Sequence, residues 1–308
     1  LEGILSMCLV SKYSIKHADI LIKRTKPHNT LIHSTHGTLK TMLIDIGLNL
    51  TSKQFGEDRA DVVQRARNAG VDIMVLTGTD IQHSQKAYDL TQRYPSILFS
   101  TSGMHPHHAK EWTTQTQKTL HALAAHAEVV AIGECGLDFN RDLSPRKDQE
   151  YCFESQLEMA VDTKMPVFLH ERDAHDRFMH ILGRYRDRLP GAVVHCFTGN
   201  ESQLRVYLDM DCHIGITGWI CDTRRGLHMH DFIDIIPANR LMVETDAPYL
   251  LPGTVRTPLK HRRNEPMYLP VIVEMLASIR GDTVKQLAEI TTANAIQFFG
   301  LPTAKTNV

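Results

Sequence analysis

The stretch Leu43-Ile-Asp-Ile-Gly-Leu-Asn-Leu50 alternates: Ile44, Ile46, Leu48 and Leu50 are apolar, while Asp45, Gly47 and Asn49 between them are polar or lack a side chain. A period of two marks a strand whose two faces see different surroundings. Two strands fit. One is an edge strand with one wet face. The other is the first strand of a closed barrel, with Asp45, Gly47 and Asn49 on the inner face where chemistry is done.

The rest of the chain favours the barrel. Short β-rich apolar runs recur at 43–47, 71–77, 97–103, 129–134, 166–170, 192–196, 212–217 and 241–246. Helical patterns fill the intervals, as at 58–69, 82–93 and 174–187. In 145–164, Pro145 suits a first turn, and Phe153, Leu157, Ala160 and Val161 share one face. Residues 266–299 read as two further helices parted near Gly281-Asp282. Eight strands alternating with helices predict a (β/α)8 barrel of the metal-dependent hydrolase type. An open doubly wound sheet would carry a glycine-rich phosphate loop after its first strand, and neither GxGxxG nor GxxxxGK[ST] occurs.

The barrel is expected over 42–302, with 303–308 as a tail. Residues 1–41 hold six basic residues against two acidic ones and keep no periodicity. They read as a disordered or non-native extension, with Met42 as the expected start. No run approaches the roughly 20 apolar residues of a membrane span. The net charge of −1 argues against a global field for nucleic acid or membrane, though local basic patches stay open. Six cysteines without a CxxC fit a reducing cytoplasm.

Active sites of such barrels lie at the C-terminal ends of the strands. Five run endings carry groups that bind metal or move protons: Gly103-Met-His105-Pro-His107-His108, Glu134 with Asp138, His170 with Arg172, His195, and Glu244-Thr-Asp246. Convergence on one mouth predicts a metal site. Glu134, His170, His195 and Asp246 offer two imidazoles and two carboxylates, a set suited to Zn, Mn or Mg. Glu134 can bridge two ions. Asp246 can bind with one oxygen and accept a water's proton with the other. Cys135 and Cys196 each follow a ligand and are expected to pack between barrel and helices.

Other residues have plainer readings. His107 and His108 can be loop residues, and Asp138 can cap a turn. Glu244 reads as a buried structural group facing inward with Asp246. Trp219 can stack a base or pack a helix end, packing being favoured. The pairs Arg224-Arg225 and Arg262-Arg263 can be solvated, or can form a positive rim.

These motifs reach a known family. Gly103-Met-His-Pro-His107, Ile132-Gly-Glu-Cys-Gly-Leu-Asp138, Leu169-His-Glu-Arg172, Val194-His-Cys-Phe-Thr-Gly199, Glu244-Thr-Asp-Ala-Pro-Tyr-Leu250 and Arg263-Asn-Glu-Pro266 stand in the order of the TatD-type metal-dependent deoxyribonucleases, which the chain resembles from about 42 to 301. The resemblance implies hydrolysis of DNA phosphodiesters, as an exonuclease with 3′–5′ direction and single-strand preference. It implies one or two divalent ions per chain, Mg first and Mn or Zn as alternatives. DNA, or RNA, is the implied substrate, and a DNA-damage role is implied as context. Glu134 would lie between the ions, His170 and His195 would hold one, and Asp246 would belong to the other. His105 would approach a substrate phosphate, with Arg172, Arg263 and Asn264 as further phosphate contacts. A monomer is the default expectation.

At strand one the chain departs from the family. Most relatives have Asp-x-His-x-His, where this chain has Asp45-Ile-Gly47-Leu-Asn49. Glycine has no ligand atom, and Asn49 offers only a neutral oxygen, a weak ligand better suited to Mg than Zn. One ion is expected to bind less tightly. Two competing functions remain: a small-molecule amidohydrolase or esterase, against which the absence of a lysine at position 134 counts, and a non-catalytic nucleic-acid-binding relative.

Overall fold

Eight parallel strands pair in sequence order, β1-β2-β3-β4-β5-β6-β7-β8, in a computed structural model that describes residues 42–255 and 262–302. They are β1 (Leu43–Leu48), β2 (Val71–Leu76), β3 (Leu98–Ser102), β4 (Val129–Asp138), β5 (Val167–Arg172), β6 (Ala192–Val194), β7 (His213–Ile216) and β8 (Leu241–Val243). The sheet closes just past the end of β8. There Leu48 bridges Ala247 in parallel, the Asp246 amide donates to the Gly47 carbonyl at 2.9 Å, and the Asn49 amide donates to the Ala247 carbonyl at 2.8 Å. The seam therefore runs through the stretch quoted first, which is a barrel strand and not an edge. The expectations for 1–41 and 303–308 lie outside the described residues.

The helices are α1 (Arg59–Asn68), α2 (Ile81–Arg93), α3 (Thr114–Ala124), α4 (Arg146–Thr163), α5 (His175–Gly183), α6 (Glu201–Asp209), α7 (Leu269–Arg280) and α8 (Val284–Phe299). Local chemistry sets their ends. Asp80 accepts the His83 amide at 2.7 Å at the start of α2, and Thr113, Asn200 and Thr283 open α3, α6 and α8 with reciprocal capping boxes. Gly281, at φ 74°, ends α7 where the sequence places a break. Pro145 proves to be the residue before α4, not its first turn. Between β7 and β8 the crossover holds only short 3-10 turns from Gly218–Cys221 to Ala238–Arg240, with no α-helix. Among the described residues no helix is long and apolar enough to cross a membrane.

Period two divides the apolar side chains into two layers. Ile44, Ile46, Ile73, Val75, Phe99, Phe168, Val193 and Met242 form the barrel interior, plugged by Ala295, Phe299 and Leu301. Their strand neighbours Met74, Leu76, Leu98, Leu169 and Val243 pack outward with the helices. Continuing the inner series gives His170 after Phe168, His195 after Val193, and Glu244 then Asp246 after Met242. The functional layer thus rests on an apolar floor, and the Phe168 ring lies 4.7 Å from that of His195.

Two register shifts interrupt this rule. In β1 the pairing with β2 slips between Asp45 and Leu48, and in β4 the pairing with β5 slips between Gly133 and Cys135. Such bulges re-aim side chains. The β1 slip corrects the expectation that Asp45 shares the inner face with Gly47 and Asn49. Ile44 and Ile46 take that face, and Asp45 is fully buried against Thr245, accepting from its amide at 2.9 Å and its hydroxyl at 2.5 Å. The β4 slip falls at Glu134, whose amide donates to the Gly78 carbonyl at 2.8 Å. Beyond it β4 continues along β5 to Asp138, four residues past the expected end. Gly136 permits this: at φ 148°, any Cβ would overlap the His170 carbonyl oxygen.

Candidate metal centre

Glu134 is the hub. Its Oε1 lies 2.8 Å from His170 Nδ1, 2.9 Å from His195 Nε2 and 3.3 Å from His105 Nε2. Strands β4 and β5 and the segments after β3 and β6 each deliver one of these groups. All four residues are nearly buried at the floor of a cavity of about 1010 Å³. The nearest donor atoms of His105, Glu134 and His170 fall within 4.8 Å of one another.

Burial alone would raise the Glu134 carboxyl. The charges of His105 and His195 and hydrogen bonds from His105 and His170 outweigh it and hold the group well below its usual range. Burial would likewise depress His195, but Glu134 and Glu244 raise it well above its ordinary value. His105 has weaker compensation and drops to about 4, chiefly through burial. Burial pushes Asp246 up to about 7, His195 opposing and Glu134 and Glu244 adding to the rise.

The donor set fits a divalent cation. Glu244 lies 3.2 Å from His195 Nδ1, which sets that nitrogen as the donor and leaves the Nε2 lone pair facing Glu134. A lone pair and a carboxylate oxygen 2.9 Å apart repel unless a proton or a cation lies by them. His170 Nε2 is also buried without a hydrogen bond, 3.5 Å from Asp138 Oδ2.

Glu244 is the buried, inward-facing structural group expected from its spacing to Asp246. Fully buried, it accepts the Cys196 amide at 2.6 Å with Oε1 and reaches His195 with Oε2. A Cβ on Gly47 would overlap Oε2 and lie 3.0 Å from Phe168 Cζ. A carboxylate just past β8 therefore occupies the room that a strand-one side chain at position 47 would need. Asn49 stays in the site, its Nδ2 donating to Asp246 Oδ1 at 2.9 Å.

Other expected residues divide. Arg172 lines the cavity, is exposed, and has its guanidinium 5.7 Å from the Trp219 ring. Trp219, half-buried on the wall, also carries Arg225 at 4.2 Å and donates to its carbonyl at 3.2 Å. His107 joins Asp138 at 2.7 Å, and Asp138 also caps its turn by accepting the Asn140 and Arg141 amides at 3.0 and 2.8 Å. Tyr249, just after the Asp246 segment, projects onto the rim and is half-exposed.

Three expectations are corrected. Arg263 does not reach the cavity: its guanidinium is held by Asp58, Glu265 and the Gln54 carbonyl, and it lies 4.8 Å from the Phe55 ring. A cation already facing two carboxylates has little left for phosphate. Asn264 is fully buried, donating to the Thr245 carbonyl and accepting the Glu265 amide at 2.9 Å each. It braces the Asp246 segment from behind. Cys196 lines the cavity where it was expected to pack against helices, because the chain turns there at φ 49°. Cys135 does pack outward as expected.

The Arg263 network makes a stability prediction. Hydrogen bonds from Arg263, opposed by burial and helped by Arg65, hold Asp58 well below the usual carboxylate range. A depressed folded-state pKa stabilises the fold above the unfolded value of about 4 and loses that contribution as pH falls below it. Asp58→Asn is therefore expected to lower the urea midpoint at pH 6, with the gap to the parent narrowing below about pH 4. A gap independent of pH would show that the charge is not the stabilising feature.

Comparisons place this geometry among known proteins. Residues 44–300 match the family described as TatD related DNase. A "3'-5' ssDNA/RNA exonuclease TatD" of Erwinia billingiae is 52% identical over 260 residues, covering 84% of this chain and 100% of the relative. The protein of that name from Salmonella typhimurium is 51% identical, covering 83% and 98%. The crystal structure of YJJV, a TatD homolog from Escherichia coli K12, superposes with a TM-score of 0.78 at 26% identity, covering 86% of this chain and all of that one.

Proposed function

The chain belongs to the TatD-related DNase family, and on that premise we propose that it is a metal-dependent nuclease removing nucleotides from the 3′ end of single-stranded DNA or RNA. The observation that carries the reading is one buried carboxylate oxygen facing three imidazoles at the floor of an open cavity. Glu134, His105, His170 and His195 would hold a divalent cation there, Mg being the first choice, with Asp246 and, more weakly, Asn49 beside it. A bound cation supplies charge stabilisation at phosphorus and a more acidic water.

The chain's own groups do the rest. Asn49 occupies Asp246 Oδ1 and leaves the other oxygen free to take the attacking water's proton. Glu244 fixes the His195 ring, and Asp138 holds His107 over the site. Arg172, with no carboxylate partner among the described residues, is free to clamp a substrate phosphate. The apolar layer below shuts water out of the barrel.

End-labelled single strands offered with Mg, Mn or Zn test this. Stepwise loss of 3′ nucleotides is expected; turnover of a lactone or amide but of no nucleic acid would overturn the reading. Asn49→His is expected to raise the affinity for Mn or Zn by adding an imidazole donor at the seam. Titration calorimetry showing no change would remove residue 49 from the site.

A further inference from the structure

A nuclease that holds a strand's end in the cavity must pass the rest of the strand across its surface. Beside the mouth, between α1 and α2, lies a second hollow of about 420 Å³. Lys53 and Thr51 line both hollows, so the two share a rim. Arg59, Lys86 and Arg93 line the second, with Asp89 as its sole carboxylate.

Arg65, Arg146, Arg177, Arg184, Arg205 and Arg263 are all paired with carboxylates. Lys53, Lys86 and Arg93 are exposed, and among the described residues none has an ion pair. Arg59 spends only its Nε, on the Leu50 carbonyl at 2.9 Å. Asp89 is engaged by the Gln85 amide at 2.9 Å. Lys86 and Arg93, seven residues apart on α2, share a helix face about 10 Å long.

Two further hollows do not compare. One sets Arg172 against Glu171 and Asp173, and the next sets Asp173 and Asp176 beside Arg177, which is already paired with Glu150. A polyanion would meet carboxylates there and unpaired cations between α1 and α2. Of the basic pairs expected to make a rim, Arg225 is committed to Asp222 and Arg263 to Asp58, while Arg224 and Arg262 stay exposed.

We propose that the α1–α2 groove is the track for the phosphate backbone of a single-stranded nucleic acid, on its 5′ side of the nucleotide held in the cavity. This rests on the nuclease reading above and adds the strand's path. Phosphate contacts bind without regard to sequence and release counterions, so each contributes about 0.7 to the salt slope of single-strand binding.

The test compares Lys86→Ala/Arg93→Ala with the parent on a 3′-labelled strand of about 12 nucleotides and on a dinucleotide too short to reach the groove. On the longer strand KM is expected to rise about five- to twenty-fold with kcat unchanged, and the salt slope to fall by about 1.4, two contacts' worth. Dinucleotide cleavage should not change, and Lys86→Arg/Arg93→Lys should behave as the parent. An unchanged KM and slope on the longer strand would overturn the track, as would an equal loss on both substrates. If the parent cuts neither substrate with any metal, the nuclease reading fails. Fluorescence anisotropy of the labelled strand then decides the groove: weaker binding by the double alanine variant supports it, and equal or absent binding refutes it.

Discussion

Glu134→Ala is expected to lower metal-dependent phosphodiester hydrolysis by on the order of 10³-fold or more, about 4 kcal/mol of transition-state stabilisation. The size follows from position. Glu134 Oε1 is the shared neighbour of His105, His170 and His195, and no other described carboxylate takes that place. Alanine leaves three buried imidazoles with no anion between them, so a cation must replace both a ligand and a charge. Glu134→Gln separates the two losses, since the amide keeps the shape and one oxygen but not the charge. Calorimetric titration with Mn should show weakened binding in both variants, more in alanine. Full activity in Glu134→Gln would mean that the carboxylate's charge is not required, and the proposed centre would fall.

Gly47→Ala carries the second large effect, on stability. A methyl group there overlaps Glu244 Oε2 and presses on Phe168. Glu244 is fully buried, so it cannot swing into solvent; moving it breaks its bonds to His195 Nδ1 and the Cys196 amide. Overpacking and a buried carboxylate that loses hydrogen bonds each cost about 1–3 kcal/mol, for a sum of about 2–6 kcal/mol. For a barrel of this size that is a drop of roughly 5–20 °C in Tm. Coupling to Glu244→Ala supplies the check. If the collision is the cause, the double variant is less destabilised than the sum of the two single ones. Strict additivity, or a Gly47→Ala protein as stable as the parent, would mean that Glu244 does not own this space.

The same pair explains how the glycine reads in the sequence. Against the His pair that the family resemblance leads one to expect, Gly47 looks like a deleted ligand. In the structure it is the gap that admits a carboxylate from the opposite side of the seam, which in turn orients His195. Alternation in one strand cannot reveal a side chain arriving from a strand about 200 residues away.

What the sequence by itself determined is the barrel and most of the site's membership. Eight apolar runs spaced by helical patterns specify the closed sheet, because parallel strands need long crossovers. Period two then places His170, His195, Glu244 and Asp246 above an apolar floor. Only the tertiary structure decided which polar groups meet. The register shifts in β1 and β4 turn Asp45 away and aim Glu134 inward. A fold in the chain brings His105 to Glu134, and neighbouring carboxylates withdraw Arg263 from the mouth. A one-residue slip exchanges the faces of a strand, and an ion pair depends on distance in space. Neither is written in local periodicity, and both are set by how the eight strands close upon one another.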